Sequence, residues 1–195
     1  MELQPEVSLR RFRELGVQDI DEMLNPYRQL GVFHDLEMGL VGREEFVARL
    51  NEHAGTNLTD EEINEAIMLF LKGVPQYKFD YLEQLRKQYK IYILSNTNPY
   101  IMAYAHSPHF LPATGRTLSD YVDKVYASCE MQTMKPDRAI YEQMIADSGM
   151  VPERTLFIDD STANLEAAAA LGLQTLLAVN GTDWRPALAA RLQHD

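Results

Sequence analysis

From Val74 onward, short apolar runs alternate with helix-length segments, and this alternation constrains the fold more than anything else in the chain. Four runs have strand length: Ile91–Leu94, Lys124–Ala127, Thr155–Ile158 and Gln174–Val179. A helix at about Phe79–Gln88 precedes the first. Asn98 and Pro99 supply a cap and a first-turn proline for the next. Pro136–Ser148 reads as a helix stopped by Gly149, and the alanine-rich Asn164–Leu171 as one ended by Gly172. A last helix starts near Trp184. Pro112, Gly115 and Ser119 mark a loop. Strands separated by helices require crossover connections, so the sheet is parallel and the class is α/β.

The first part of the chain has a different texture. Residues 4 to about 72 read as helices only. Pro5–Leu15 carries Val7, Phe12 and Leu15 on one face and stops at Gly16; Arg43–His53 has an apolar stripe of Phe46, Val47 and Leu50, with Gly55 beyond it. Thr59-Asp60-Glu61-Glu62 is a capping box that opens a helix to about Leu71. Met1–Glu6 offers neither a strand nor an aspartate. A division into a helical region, 1–73, and an α/β region, 74–195, follows.

Charge and composition exclude several functions. The net charge of −11 carries no compensating basic patch, which argues against nucleic-acid binding. No apolar run approaches the roughly 20 residues of a membrane span. The single cysteine, Cys129, cannot form an internal disulfide, which fits a reducing cytoplasm, and it reads as a buried small hydrophobe near a strand end.

Three sites carry chemistry. Ser95 and Asp159-Asp160 each close an apolar strand and precede a helix, so they fall at the carboxyl edge of the sheet, where open α/β sheets bind ligands. Lys135, before Pro136, stands just ahead of another helix. Helix starts favour anions through their free N–H groups. A hydroxyl, a lysine and a carboxylate pair suit phosphate and a magnesium ion: cations neutralise the phosphoryl oxygens, and the hydroxyl with backbone N–H groups orients them. Each element alone is a common turn or cap. Their order is the signal, with Lys135 forty residues after Ser95 and twenty-four before Asp159. Other residues read as structural. His106 and His109 have metal-pair spacing, but Pro108 interrupts them. His34 lies in the helical region. Tyr100, Met102 and Tyr104 have the spacing of core packing, and Trp184 with Arg185 suits the cover of a sheet edge or helix seam.

The pattern resembles the haloacid dehalogenase superfamily, in its phosphatase-like branch with a small α-helical cap. Ile-Leu-Ser95-Asn96-Thr-Asn is similar to the second family motif, whose serine and following N–H hold phosphate. Lys135-Pro136-Asp137 is similar to the third, whose lysine pairs phosphate with the nucleophile. Phe-Ile-Asp159-Asp160-Ser161-x-x-Asn164 is similar to the fourth, whose acidic pair binds Mg²⁺. The resemblance implies a Rossmannoid three-layer core, residues 74–195, with residues 1–73 as cap and lead-in helix. It implies Mg²⁺-dependent hydrolysis of a small phosphorylated metabolite, such as a sugar phosphate, through an aspartyl phosphate. Ser95 and Lys135 are then catalytic, Ser95, Asn96 and Lys135 bind phosphate, and Asp159 and Asp160 bind metal. Dehalogenation itself needs no metal and fits Asp159-Asp160 less well. A response-regulator receiver places its acidic pair early, and here the pair comes last.

The first family motif, a central strand ending in the nucleophilic aspartate, has no counterpart. Asp19 and Asp21 follow no apolar strand and read as helix-cap residues. The expectation is a chain shortened at its start; a chain that natively begins at Met1 would have a gap or rearranged sheet and no turnover. The alternative is a non-catalytic phosphate- or metal-binding pseudoenzyme or scaffold protein.

Overall fold

Helices begin where the sequence supplies capping chemistry. At Thr59, the hydroxyl accepts from the Glu62 N–H at 3.2 Å and the Glu62 carboxylate accepts from the Thr59 N–H at 2.9 Å, closing the capping box that opens Asp60–Met68. Asn98 accepts from the N–H groups of Tyr100 and Ile101, each at 3.1 Å, and opens Pro99–Ala105. Gly55 and Gly149 end Arg43–Ala54 and Arg138–Ser148 in the left-handed conformation that costs glycine nothing. The computed structural model describes residues 2–25, 28–179 and 181–192. It contains two compact units, Met1–Met134 and Lys135–Asp195.

In the first unit, Pro5–Glu14, Ile20–Met23, Gly31–Glu37, Arg43–Ala54 and Asp60–Met68 bury their apolar faces in one core. Phe12, Ile20, Leu36, Phe46, Leu50 and Ile63 are fully buried there. Edge-to-face contacts run from Phe12 to Phe33 at 5.6 Å, to Phe46 at 5.0 Å and to Tyr100 at 6.0 Å. Tyr100 comes from Pro99–Ala105, so this core extends beyond the helical region.

That region is not purely helical. Its described residues hold four short strands: β1 (Glu2–Leu3), β2 (Leu24–Asn25), β3 (Arg28–Gln29) and β4 (Leu71–Gly73). β1 pairs antiparallel with β4, and β2 with β3. The expectation of no strand at the N-terminus is therefore corrected. Strands of two or three residues show no alternation to read. β1 forms because its partner lies near residue 70, where the Gln4 N–H reaches the Phe70 carbonyl at 2.9 Å and Lys72 approaches Glu2 at 3.4 Å. Gly31–Glu37 is a further helix without a sequence expectation.

β5 (Tyr92–Ser95) and β6 (Lys124–Ala127) run parallel, in register from Tyr92 opposite Lys124 to Ser95 opposite Ala127. The Asp123 carboxylate accepts from the Ile91 N–H at 2.8 Å and fixes the start of the pair. Phe79, Ala105, Phe110, Leu111, Tyr121 and Val122 form a second core beside it. The connecting loop contains a bridge between Leu111 and Arg116 and a short 3₁₀ turn, Leu118–Asp120.

In the second unit, β7 (Leu156–Asp159) and β8 (Gln174–Leu177) are parallel, with Asp159 opposite Leu177. β8 ends two residues before the expected Val179. The helices are Arg138–Ser148, Thr162–Ala169 and Arg185–Leu192. Parallel pairs linked through helices are the expected α/β class. No helix of the described residues is long and apolar enough to cross a membrane.

Candidate active site

Asp159 closes β7, and its carboxylate organises the turn beyond it. One oxygen, Oδ1, accepts from the Ser161 N–H and from the Asn164 amide, both at 2.9 Å. The first bond does the work of a cap: Ser161 occupies the N-cap of Thr162–Ala169 and makes no side-chain cap bond of its own. The other oxygen, Oδ2, accepts from the Lys135 ammonium at 2.7 Å, with side-chain exposures of 11% for Lys135 and 6% for Asp159. Lys135 also lies 5.7 Å from the Phe157 ring centroid. Asp160, the next residue, is exposed.

Tyr141 supports this cluster. It is fully buried on Arg138–Ser148, its ring meets Phe157 edge-on at 5.6 Å, and its hydroxyl donates to the Asn164 carbonyl at 3.0 Å. Burial, and then the Asp159 charge, push the phenol pKa well above its ordinary value, so Tyr141 remains a neutral donor. Sequence reasoning missed Tyr141 because helical spacing marks it only as a core position.

In the first unit, Ser95 is the last residue of β5 and Asn96 follows it. Ser95 is half-buried and Asn96 is exposed, while Thr97 and Asn98 are buried. The Ser95 hydroxyl makes only a long contact, 3.4 Å, to the Asn96 carbonyl, so little holds it in one orientation.

The donor set suits a hard divalent cation. Mg²⁺ is bound by one or two carboxylates, with waters and substrate phosphate completing an octahedron. Asp159 and Asp160 are two adjacent carboxylates at one strand end, and the described residues contain no cluster of three or more histidine, cysteine or acidic groups.

The secondary candidates take structural places. Asp19 sits at the N-cap of Ile20–Met23 but makes no cap bond; its carboxylate meets His53 at 2.7 Å. Asp21 is not a cap: it lies inside that helix and takes a bidentate bond from Arg13, at 2.5 and 2.8 Å. His106 faces the Ser119 hydroxyl at 2.9 Å. His34 lies 3.5 Å from Asp35. Met102 is buried, and Tyr104 packs on Phe110 at 5.6 Å. Cys129 is only partly buried, in the short helix Ser128–Met131; burial and then the Glu130 and Glu37 carboxylates push its thiol up to about 11, so it is a poor nucleophile.

These features define a class. The chain belongs to the haloacid dehalogenase-like hydrolases, whose family model matches residues 7–172. It is 40% identical over 185 residues to a D-ribitol-5-phosphate phosphatase of Bacteroides thetaiotaomicron, covering 95% of this chain and 89% of that protein. A predicted HAD-like family hydrolase from Porphyromonas gingivalis has a similar structure, with a TM-score of 0.94 and 47% identity over 100% of this chain and 93% of that one. An HAD family enzyme of Bacteroides thetaiotaomicron, solved as an aspartate-to-alanine variant with magnesium and inorganic phosphate, has a TM-score of 0.90 and 34% identity over 96% of this chain and 92% of that one.

Proposed function

We propose that the protein is a Mg²⁺-dependent phosphatase of a small phosphorylated metabolite, with a polyol or sugar phosphate such as D-ribitol 5-phosphate as its substrate class. The observation that carries this reading is the Lys135–Asp159–Asn164 cluster at the end of β7, in a chain 40% identical to a D-ribitol-5-phosphate phosphatase. The magnesium and inorganic phosphate in the related Bacteroides enzyme support the cofactor.

In this reading Asp159 and Asp160 hold Mg²⁺, which supplies Lewis-acid charge to the phosphoryl oxygens. Asn164 and the Ser161 N–H orient the Asp159 carboxylate. The Lys135 ammonium, held by Asp159, supplies a fixed positive charge for the developing negative charge on phosphate. Ser95 and Asn96 orient phosphate through the hydroxyl and backbone N–H. Residues 1–73 act as the cap that selects substrate and excludes water, over a core of residues 74–195. The route runs through an aspartyl phosphate. Residues 1–18 contain no aspartate to supply that nucleophile.

The test is phosphate release from D-ribitol 5-phosphate and from p-nitrophenyl phosphate, with Mg²⁺ and with EDTA. It is run on residues 1–195 and on a version extended upstream. Mg²⁺-dependent release from the extended form, lost in Asp160→Asn, is the expected result. Release that survives EDTA in full would refute the metal role. Absence of release from both forms, with phosphate still bound, would favour a binding protein.

A further inference from the structure

A buried hydroxyl fastens the loop after β5. The β5–β6 ladder ends where Ser95 faces Ala127, so Thr97, two residues on, has no ladder partner. Ser128, directly after β6, fills that place. Its hydroxyl accepts from the Thr97 N–H at 2.9 Å and donates to the Thr97 carbonyl at 3.1 Å. Ser128 is fully buried and Thr97 is 4% exposed, so water does not compete for either bond. One side chain thus satisfies both polar groups of one residue, as a neighbouring strand would.

The consequence falls on Ser95 and Asn96. They lie between the last ladder position of β5 and the clamped Thr97, and Asn98 beyond is held by its cap bonds at 3.1 Å. The two residues therefore lie directly between held points, with Asn96 exposed. A hydroxyl and an N–H that grip a phosphate must be held to within a fraction of an ångström.

We infer that Ser128 is a positioning residue for phosphate binding, acting through Thr97 on the Ser95–Asn96 segment. This deepens the proposed function and rests on its assignment of Ser95 to phosphate. Ser128 touches no ligand in this role, and its effect must pass through Ser95 and Asn96.

The experiment is a double-mutant cycle on inorganic phosphate affinity, measured by calorimetry with saturating Mg²⁺ for the native chain, Ser95→Ala, Ser128→Ala and the double variant. Thermal unfolding is recorded for all four. Loss of a buried hydrogen bond corresponds to about a tenfold weaker dissociation constant for Ser128→Ala, with a comparable loss for Ser95→Ala. Residues acting as one unit are non-additive, so the double variant binds within about threefold of Ser95→Ala alone. Full additivity, or unchanged affinity in Ser128→Ala beside a weakened Ser95→Ala, would overturn the positioning role and leave the phosphatase reading standing. Unchanged affinity in Ser95→Ala removes the phosphate assignment and the inference with it. Where Ser128→Ala does not fold, Ser128→Cys keeps the volume with a much weaker donor and carries the same comparison.

Discussion

Lys135 and Asp159 form an ion pair at 2.7 Å with side-chain exposures of 11% and 6%, and Asp159 accepts two further bonds on its other oxygen. The pair is nearly dry and its carboxylate is fully solvated by protein. Removing the Lys135 ammonium leaves the Asp159 charge buried with neutral donors alone.

Lys135→Met is therefore expected to lower stability by about 3 kcal/mol in urea unfolding and to abolish phosphate release. Lys135→Met with Asp159→Asn removes both charges and keeps an acceptor for Ser161 and Asn164. It should recover much of the stability, since no unpaired charge stays buried, with no recovery of activity. Equal stability of the single and double variants would contradict this account.

Tyr100 and Asp60 make a partly buried polar contact. The Tyr100 hydroxyl donates to Asp60 at 2.7 Å; Arg43 bonds both oxygens of the same carboxylate and lies 4.1 Å from the Tyr100 ring centroid. Burial acts to raise the Asp60 pKa, but the bonds from Arg43 and Tyr100 outweigh it and hold the carboxyl below its ordinary range. Tyr100→Phe keeps the ring in the core and loses one bond to a charged acceptor. A loss of about 1.5 kcal/mol is expected in chemical denaturation at pH 7.

Glu37 gives stability an unusual pH dependence. Burial raises its carboxyl to about 7. The folded chain then binds more protons at Glu37 than the unfolded chain between about pH 4.5 and 7. Its contribution to stability falls as pH rises through that window, and the full penalty is present above it. Glu37→Gln should leave stability unchanged near pH 4 and raise it by about 1–2 kcal/mol at pH 8. Thermal unfolding across pH 4–8 measures the difference; parallel curves for the two proteins would refute it.

Gly39 and Gly55 separate two costs of a side chain. Both have left-handed backbone, with φ of 64° and 66°. A Cβ at Gly39 would lie 2.0 Å from the Cys129 carbonyl oxygen, whereas at Gly55 nothing lies within 4 Å. Gly55→Ala pays only the backbone term, about 1–2 kcal/mol. Gly39→Ala adds a collision with main chain and should cost about 3 kcal/mol or more, with displacement of the Ser128–Met131 turn. Equal unfolding midpoints for the two variants would disprove the collision.

The elements with strong local signals were legible in the sequence. The capping box at Thr59, the cap at Asn98 and the glycine stops at Gly55 and Gly149 lie where their local chemistry places them. Lys124–Ala127 has the expected bounds, and the other three strands of the α/β region shift by a residue or two at their ends. β1 and β4 were illegible because two or three residues carry no period, and their pairing spans about seventy positions.

The candidate site divides along the same line. Ser95, Lys135 and Asp159 could be singled out as candidates because they stand at strand ends and turns, where residue type and spacing reflect local backbone geometry. Order and spacing alone set the fold class and the family. Tertiary structure decided which oxygen of Asp159 faces Lys135 and which faces Asn164, that Tyr141 braces Asn164, and that Ser128 holds Thr97. Those bonds join residues 5 to 31 positions apart and depend on how helices and strands pack, because a hydrogen bond needs its partners within about 3 Å and aligned. A linear pattern of residue types contains no such distances.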